Sequence, residues 1–338
     1  MASQAVPLKE QIAGCLLGGA VGDALGAPVE FLTLAEIRRQ FGPQGVRDYV
    51  PAYGRAGAIT DDTQMSLFTA EGLLRFARRD EPGDVVTCVY RAYQRWYVTQ
   101  GGQPRGDLGA SGGLIAVPAL HSRRAPGSTC LSALAGGVMG TPAHPLNTSK
   151  GCGGVMRAAP VGLLGHQGVG GRDPFRLGCE IAAATHGHPS GYLSAGFLAH
   201  VIAAIVSGEP LPPAIEGALT VLATYPGHEE CRRAVERAIA LARSAPPTPE
   251  SVEQLGGGWV GEEALAIALF CALVANGFED GVLLAVNHSG DSDSTGAIAG
   301  NILGAMLGTG AIPPRWLAAL ELRDELRQVG DQLAALHG

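Results

Sequence analysis

Two short acidic segments carry the side chains in this 338-residue chain that are best suited to hold divalent cations. The first, Thr60–Thr63 (TDDT), opens an apolar helical pattern, and the second, Asp291–Thr295 (DSDST), also lies between apolar segments. Each could simply cap a helix, because Thr, Ser and Asp accept hydrogen bonds from the free N–H groups of a first turn. Capping needs only one such residue, however, and neighbouring carboxylates in an apolar setting repel one another unless a cation lies between them.

The side-chain donors in both segments are oxygens, and no set of His or Cys with metal-ligand spacing stands beside them. Carboxylate and hydroxyl oxygens suit Mg²⁺ or Mn²⁺ better than zinc. The Asp-x-Asp pattern is not an EF-hand, since no Glu closes the loop and a helical pattern follows at once. The four carboxylates of Asp61, Asp62, Asp291 and Asp293 are enough to hold two divalent ions with open water positions, which is a common catalytic arrangement.

Two further acidic residues lie near the N-terminus. Asp23 is embedded in a small, apolar helical pattern, where a charge needs a partner or water. Glu30 follows a Gly-Ala-Pro break, from which a loop could direct it into a cleft. A structural role and a place in a functional site are both open for each of them at this point.

A glycine-rich loop, 147–157 (NTSKGCGGVMR), precedes another helical pattern. Free backbone N–H groups at such a place attract anions such as phosphate, and Lys150 and Arg157 could add charge. The loop is neither a P-loop nor a dinucleotide fingerprint, because its Lys precedes the glycines and no strand comes before it. A flexible structural loop is the alternative. His186, in the segment ATHGHP, is either a buried structural histidine or a group of the same cleft.

The elements that must position these residues are mostly helical in period, and strand signals are scarce. We therefore predict an all-α fold of one domain, residues 1–338, since neither 210–213 nor 244–250 is long enough to separate two domains. The small residues of the first helix, around Gly18 and Gly22, would let another helix approach closely. The predicted helices are 8–27, 63–79, 82–99, 112–120, 154–164, 175–185, 191–207, 214–224, 230–243, 262–276, 278–286, 295–308 and 315–336.

Composition excludes several classes of protein. A content of 46% hydrophobic residues excludes a disordered chain, and a net charge of −7 without a basic face argues against a general nucleic-acid binder. The seven cysteines are odd in number and form no C-x-x-C, so neither a disulfide framework nor a cysteine zinc site is expected. The N-terminal segment lacks a signal-peptide pattern and the apolar runs are interrupted, so we expect a soluble, cytoplasmic protein with no membrane partner.

Taken together, five segments of the chain resemble the ADP-ribosylglycohydrolase family, which includes the dinitrogenase-reductase-activating glycohydrolases. In chain order they are GCLLGGAVGDALGAPVEF, ITDDTQMSL, SKGCGGVMRAAPVGLL, THGHPSGYLSAG and HSGDSDSTGAIAGNILGAMLG, and they span about residues 11–308. The joint occurrence of TDDT and GDSDST is specific, although each motif alone is not. The resemblance implies a compact, single-domain, all-α fold with a central cleft that holds a binuclear Mg²⁺ or Mn²⁺ centre.

The resemblance also implies roles for individual residues. Glu30 and Asp62 are the carboxylates available for proton transfer. Trp259 or Tyr97 is a candidate for stacking on the adenine. The implied metal ligands are Thr60, Asp61, Asp62, Asp291, Asp293 and Ser294. The implied substrate contacts, with the diphosphate on the glycine loop, are Asp23, Ser149, Gly151, Cys152, Gly153, Gly154, Met156 and His186.

The glycine loop departs from the family at one position. Family members usually carry G-N-G, and this chain has Gly151-Cys152-Gly153. The backbone donors survive the change, but the Asn side chain is lost. Cys152 is not expected to act as a nucleophile, because no base is evidently paired with it in the sequence.

The implied activity is hydrolysis of the bond at C1 of the distal ribose of an ADP-ribosyl group. The expected partner is an ADP-ribosylated protein or a small ADP-ribose conjugate. Arginine is favoured as the acceptor, while serine, O-acetyl-ADP-ribose, poly(ADP-ribose) and a modified nucleobase stay open. Two alternatives are an ADP-ribose-binding module with little turnover and a two-metal nucleotide phosphohydrolase. The products distinguish them, because glycosidic cleavage releases intact ADP-ribose whereas phosphohydrolysis releases AMP or phosphate.

Overall fold

The computed structural model describes residues 6–337, which form helices joined by loops. Within this range the only β-type pairings are three isolated bridges, and no sheet is present. The all-α prediction is therefore confirmed. The α-helices are α1 Leu8–Gly26, α2 Leu34–Phe41, α3 Asp61–Arg78, α4 Val85–Thr99, α5 Ser128–Ala135, α6 Ala159–Gly162, α7 Pro174–Ala183, α8 Pro189–Val206, α9 Leu211–Leu222, α10 Glu229–Ser244, α11 Pro249–Glu253, α12 Gly261–Val274, α13 Phe278–Val286, α14 Ser292–Leu307, α15 Pro314–Ala319 and α16 Arg323–Ala334.

Most predicted helices agree with these bounds to within a few residues, and three do not. Residues 112–120 form two 3₁₀ turns, and 154–164 contains only the four-residue α6. The segment 315–336 is divided between α15 and α16, because Leu322 adopts the left-handed conformation with a φ of 55°. The short helices α2, α5 and α11 were not predicted, since eight or fewer residues show too little of a helical period.

Helices α1 and α14 pack with their backbones almost in contact. Glycines recur at every fourth position of both helices, and a Cβ on Gly296 would lie only 2.5 Å from the carbonyl oxygen of Gly22. Further along, Gly18 faces Gly300 and Gly14 faces Gly304, so the two helices run antiparallel. Contact this close is possible only where both faces lack side chains. The N-terminal end of α14 therefore lies beside the C-terminal end of α1.

This arrangement brings together residues that are far apart in sequence. The carboxylate of Asp23 near the end of α1 is close enough to Asp293 in the first turn of α14 for the two charges to repel. The backbone N–H of Thr60 donates to both carboxylate oxygens of Asp23 at 3.0 Å, which anchors the start of α3 at the same place. The ends of three helices thus meet at one point.

One contiguous apolar core extends from Ile12 to Leu333 around these helices. Helix α8 is the one helix of the described residues that is long and apolar enough to cross a membrane by length and composition. Of its 18-residue window, 89% is buried within the protein, as expected of a core helix.

We predict that Gly300→Ala lowers the free energy of unfolding by about 2–3 kcal/mol, because its new methyl group would overlap the Gly18 backbone on α1. The matched control is Gly310→Ala, where nothing lies within 4 Å of the added Cβ. Urea unfolding of both variants measures the difference. Equal stabilities of the two variants would contradict the close packing of α1 and α14.

Candidate functional site

A cleft of about 400 Å³ opens where α1, α3 and α14 meet. Two cavities of about 610 and 620 Å³ lie elsewhere on the molecule, so the cleft is distinguished by its chemistry and not by its size. The lining residues are Glu30, Phe31, Asp61, Asp62, Ala125, Pro126, Gly127, Ser128, Thr129, Cys130, Gly151, Cys152, Gly153, Met156, His186, Trp259, Asp291, Asp293 and Ser294.

Five carboxylates of this lining are almost completely buried. Glu30, Asp61, Asp62, Asp291 and Asp293 are each between 2% and 7% exposed. Three of them, Glu30, Asp291 and Asp293, each offer an oxygen that lies within 4.8 Å of the others. The structure therefore brings the two acidic segments of the sequence to one place and adds Glu30 to them.

The buried carboxylates of this cluster can all be ionised only if a positive charge lies near them. The pKa values of Asp61, Asp62 and Asp291 lie well above the ordinary range of an aspartate, first because burial disfavours their charged forms and then because Asp293 repels them. The pKa of Glu30 rises to about 10, again mainly through burial and then through the Asp293 and Asp291 carboxylates. Five anions cannot remain charged together here without compensation.

Two atoms of the cluster also lack hydrogen-bond partners among residues 6–337. They are Oε2 of Glu30 and Oδ1 of Asp62, both buried. A buried carboxylate oxygen without a donor is costly. Divalent cations would satisfy both the orphaned oxygens and the charge, and the oxygen donors are the type that Mg²⁺ and Mn²⁺ prefer. The residues present therefore fit the binuclear centre that the sequence implies.

The first turn of α3 holds Asp61 and Asp62 in place. The Thr60 hydroxyl caps this helix by accepting the Asp62 N–H at 3.3 Å. Asp61 accepts a hydrogen bond on Oδ2 from the Gly127 N–H at 3.2 Å, and its own N–H donates to the Arg124 carbonyl. The loop of residues 124–129 therefore forms part of the site. Its Pro-Gly pair is typical of a turn, but nothing else in its sequence predicted a place in the site.

Asp23 lies behind the acidic residues of the cleft and is not part of its lining. It is fully buried, and its carboxylate accepts the backbone N–H groups of Thr60 and Thr63 as well as the Thr63 hydroxyl. Its pKa rises to about 7, chiefly through burial and then through repulsion by Asp293. The geometry makes Asp23 an anchor for the start of α3, a role that the resemblance did not imply.

Cys152 contacts the second acidic segment. Its Sγ donates to Oδ2 of Asp291 at 2.7 Å, and the Ser294 hydroxyl lies 3.6 Å from the same sulfur. Burial and then the Asp291 charge raise the pKa of the Cys152 thiol well above its ordinary value. Such a shift favours the protonated thiol, which is a poorer nucleophile than a thiolate.

The glycine turn, residues 151–154 of the glycine-rich loop, is held by more hydrogen bonds than the sequence suggested. The Cys152 N–H donates to the Trp259 carbonyl at 3.2 Å, and the Gly151 N–H donates to the Ser149 hydroxyl at 3.3 Å. Gly154 is buried outside the cleft lining. The amides of Gly151 and Cys152 are therefore already bonded within the protein, and Gly153 lines the cleft beside them.

Four other predicted groups of this region can now be placed. Met156 lines the cleft, whereas Ser149 lies behind the turn and bonds to the Thr129 hydroxyl at 3.0 Å. Lys150 points away from the cleft and pairs with Glu262 at 2.6 Å, and Arg157 is fully buried. Neither basic residue therefore supplies the surface charge that the loop sequence suggested.

His186 lines the cleft beside the glycine turn and is only 2% exposed. Its Nδ1 lies 2.8 Å from the Thr185 hydroxyl. Burial first, and the nearby Arg157 charge second, lower the pKa of His186 to about 3. The ring is therefore neutral at physiological pH, so His186 contributes a hydrogen-bonding group and not a charge.

Two aromatic rings form the rim of the cleft. Phe31 and Trp259 stack with their centroids 5.8 Å apart, although they are 72% and 45% exposed. Tyr97, the other candidate for stacking, is not in the cleft lining. Phe31 was not among the predicted site residues. Its place directly after Glu30 in the sequence is the one feature that could have indicated it.

Comparisons with known proteins agree with this arrangement. A sequence model of the family described as ADP-ribosylglycohydrolase matches residues 4–338. An uncharacterized protein from Archaeoglobus fulgidus is 32% identical over 98% of both chains, and the ADP-ribosyl-[dinitrogen reductase] glycohydrolase of Rhodospirillum rubrum is 28% identical over 98% of both. The ADP-ribosylarginine hydrolase Tri1 of Serratia proteamaculans is 25% identical, over 95% of this chain and 78% of its own.

A solved structure, an ADP-ribosylglycohydrolase-related protein complex, superimposes with a TM-score of 0.73 at 29% identity, over 98% of this chain and 99% of the other. The all-helical fold is thus shared along the whole length of both chains. The protein belongs to the ADP-ribosylglycohydrolase family and is a hydrolase that acts on glycosidic bonds of ADP-ribose.

Proposed function

We propose that this enzyme removes ADP-ribose from modified arginine, on a protein or a small conjugate, in a reaction that depends on Mg²⁺ or Mn²⁺. The observation that carries this proposal is a cluster of five buried carboxylates that face one cleft beside a neutral histidine. Two of them have an oxygen with no hydrogen-bond partner among residues 6–337. Arginine is chosen because relatives along nearly the whole chain are named for ADP-ribosylarginine and for ADP-ribosyl dinitrogen reductase.

Six residues would hold the two cations. They present hydroxyl and carboxylate oxygens from the first turns of α3 and α14, and they are Thr60, Asp61, Asp62, Asp291, Asp293 and Ser294. When bound, divalent cations supply Lewis acidity that orients ribose hydroxyls and acidifies water. The protein contributes a buried, anionic pocket that is rigid because its residues lie on helix ends.

Glu30 is the residue that we assign to proton transfer. Its Oε2 is buried without a hydrogen-bond donor among the described residues, and its carboxyl group lies on a loop and not on a helix of the cluster. In the reaction, the oxygen of water bonds to C1 of the ribose, and the bond from C1 to the guanidine nitrogen breaks. Once cations balance the neighbouring carboxylates that raise its pKa, Glu30 would be ionised and would accept the proton that water loses, while the guanidine nitrogen gains one.

The rest of the cleft would bind the remainder of the ADP-ribosyl group. Gly153 and the neutral His186 ring line one wall, where the ring can form a hydrogen bond with the ligand. Trp259 and Phe31 offer an exposed aromatic surface at the rim, where an adenine can stack. Because the N–H groups of Gly151 and Cys152 already donate within the protein, the glycine turn offers a phosphate fewer free donors than the sequence suggested.

We expect the purified enzyme to release intact ADP-ribose from ADP-ribosylarginine in the presence of Mg²⁺ or Mn²⁺, and to stop when a chelator is added. Glu30→Gln should lower kcat by about 10²–10⁴-fold, the usual range for loss of a proton-transfer group. Asp324→Asn, which changes an exposed carboxylate that pairs with Arg323 on α16, is the matched control and should keep full activity. Released product is identified by mass spectrometry.

The same assay includes ADP-ribosylserine, O-acetyl-ADP-ribose, poly(ADP-ribose) and ADP-ribosylated nucleobase as competing substrates. Turnover of one of these in preference to ADP-ribosylarginine would overturn the choice of acceptor. Release of AMP or phosphate would show a phosphohydrolase, and tight ADP-ribose binding without turnover of any substrate would show a binding module.

A second prediction concerns stability without metal. The pKa of Glu30 is raised from 4.5 to about 10 in the folded protein, so the folded state binds the proton more tightly than the unfolded state does. The contribution of Glu30 to the free energy of unfolding is therefore complete below pH 4.5 and is lost as the pH rises toward 10. The Tm in chelator should therefore fall between pH 5 and pH 9. Saturating Mg²⁺ or Mn²⁺ should raise the Tm and flatten this fall, as differential scanning calorimetry can measure.

Asp293→Asn separates charge repulsion from cation binding in that experiment. In chelator at pH 8 the variant should be at least as stable as the wild type, because Asp293 repels Asp61, Asp62 and Asp291. With metal added, its Tm should rise much less than that of the wild type. An equal metal-induced rise in both proteins would contradict the assignment of Asp293 as a ligand.

A further inference from the structure

Arg157 is a fully buried arginine whose charge is not paired with a carboxylate in residues 6–337. Its guanidinium lies over the Tyr93 ring at 4.2 Å, and its shortest hydrogen bond, 2.6 Å, runs from Nη2 to the Thr185 hydroxyl. Burying an arginine without an anionic partner is expensive, so a specific role for its hydrogen bonds is the simplest reason for its presence.

The direction of each hydrogen bond in this group follows from what its atoms can do. Arginine is only a donor, so the Thr185 Oγ1 accepts from it. The hydroxyl then has one proton to give, and its two acceptors are Nδ1 of His186 at 2.8 Å and the Ala182 carbonyl at 3.4 Å. That carbonyl already accepts the backbone N–H groups of Thr185 and His186, at 3.1 and 3.0 Å.

We propose that Arg157 and Thr185 are positioning residues that hold His186 in its Nε2–H tautomer, so that the ring donates a hydrogen bond from Nε2 to an oxygen of the substrate. The bond from Thr185 occupies Nδ1 as an acceptor, and a neutral imidazole must then carry its proton on Nε2. The contact with substrate rests on the proposed function, whereas the tautomer itself does not.

The surroundings of Nε2 support this assignment. Cβ atoms added at Gly151 and Gly153 would lie 3.5 and 3.2 Å from it, so Nε2 faces the glycine turn in the wall of the cleft. No residue of the described chain forms a hydrogen bond with Nε2. The absence of side chains at these two positions leaves the donor accessible to a ligand, and the neutral state of the ring at pH 7 keeps one nitrogen free as an acceptor for Thr185.

The tautomer can be observed directly by two-bond ¹H–¹⁵N correlation spectra of protein labelled at histidine, with the His186 signals assigned from the spectrum of His186→Gln. We expect a protonated Nε2 and an unprotonated Nδ1 in the wild type. Thr185→Ser, which keeps the hydroxyl, should give the same pattern. In Thr185→Val the pattern should change to the Nδ1–H tautomer or to a mixture. A protonated Nδ1 of His186 in the wild type would overturn the proposal, whatever the Thr185 variants show.

Isothermal titration calorimetry of ADP-ribose binding, in the presence of Mg²⁺, tests whether the Nε2–H donor of His186 contributes to affinity. Thr185→Val should weaken binding by about tenfold, roughly the value of one hydrogen bond, and Thr185→Ser should restore it. With ADP-ribosylarginine the same loss should appear in KM more than in kcat. Unchanged binding in Thr185→Val would overturn the positioning role. Binding of ADP-ribose without hydrolysis would count against the proposed function but not against the tautomer.

Discussion

The close contact between the backbones of α1 and α14 is the constraint on which the site depends. Glycines at every fourth position of both helices let Gly22 and Gly296 meet with no side chain between them. The end of one helix and the start of the other are thereby held side by side, and Asp23 and Asp293 come close together. A single methyl group in this contact would separate the helices and with them the two halves of the acidic cluster.

The meeting of these helix ends places several carboxylates close together, and their burial and repulsion cost free energy. Five carboxylates are buried in one cleft, and burial together with mutual repulsion raises their pKa values. The burial of Asp23, a sixth carboxylate behind the cleft, is offset locally, since it accepts the free N–H groups at the start of α3, where the helix dipole also favours a negative charge. Oxygens of Glu30 and Asp62 stay buried without partners among residues 6–337, and bound cations would neutralise this remaining cost.

The opposite wall of the cleft is built from neutral groups. The glycine turn is tied to the Trp259 carbonyl, the Cys152 thiol stays protonated against Asp291, and His186 is uncharged. The positive charge of Arg157 lies beneath this wall and is linked to the His186 ring through the Thr185 hydroxyl. Charge is thus concentrated where the cations would lie, while the rest of the cleft recognises its ligand through directional hydrogen bonds and aromatic contact.

The sequence by itself determined the helical class, most of the helices and the two acidic segments, because hydrophobic period and residue type are local properties. It also carried the family resemblance. Only the tertiary structure decided that Asp23 supports α3 from behind, that the turn has few free amides, and that Phe31 and the loop at Gly127 belong to the site. These features depend on which partner each polar group finds across the fold, and hydrogen-bond partners far away in sequence leave no local pattern by which they could be predicted.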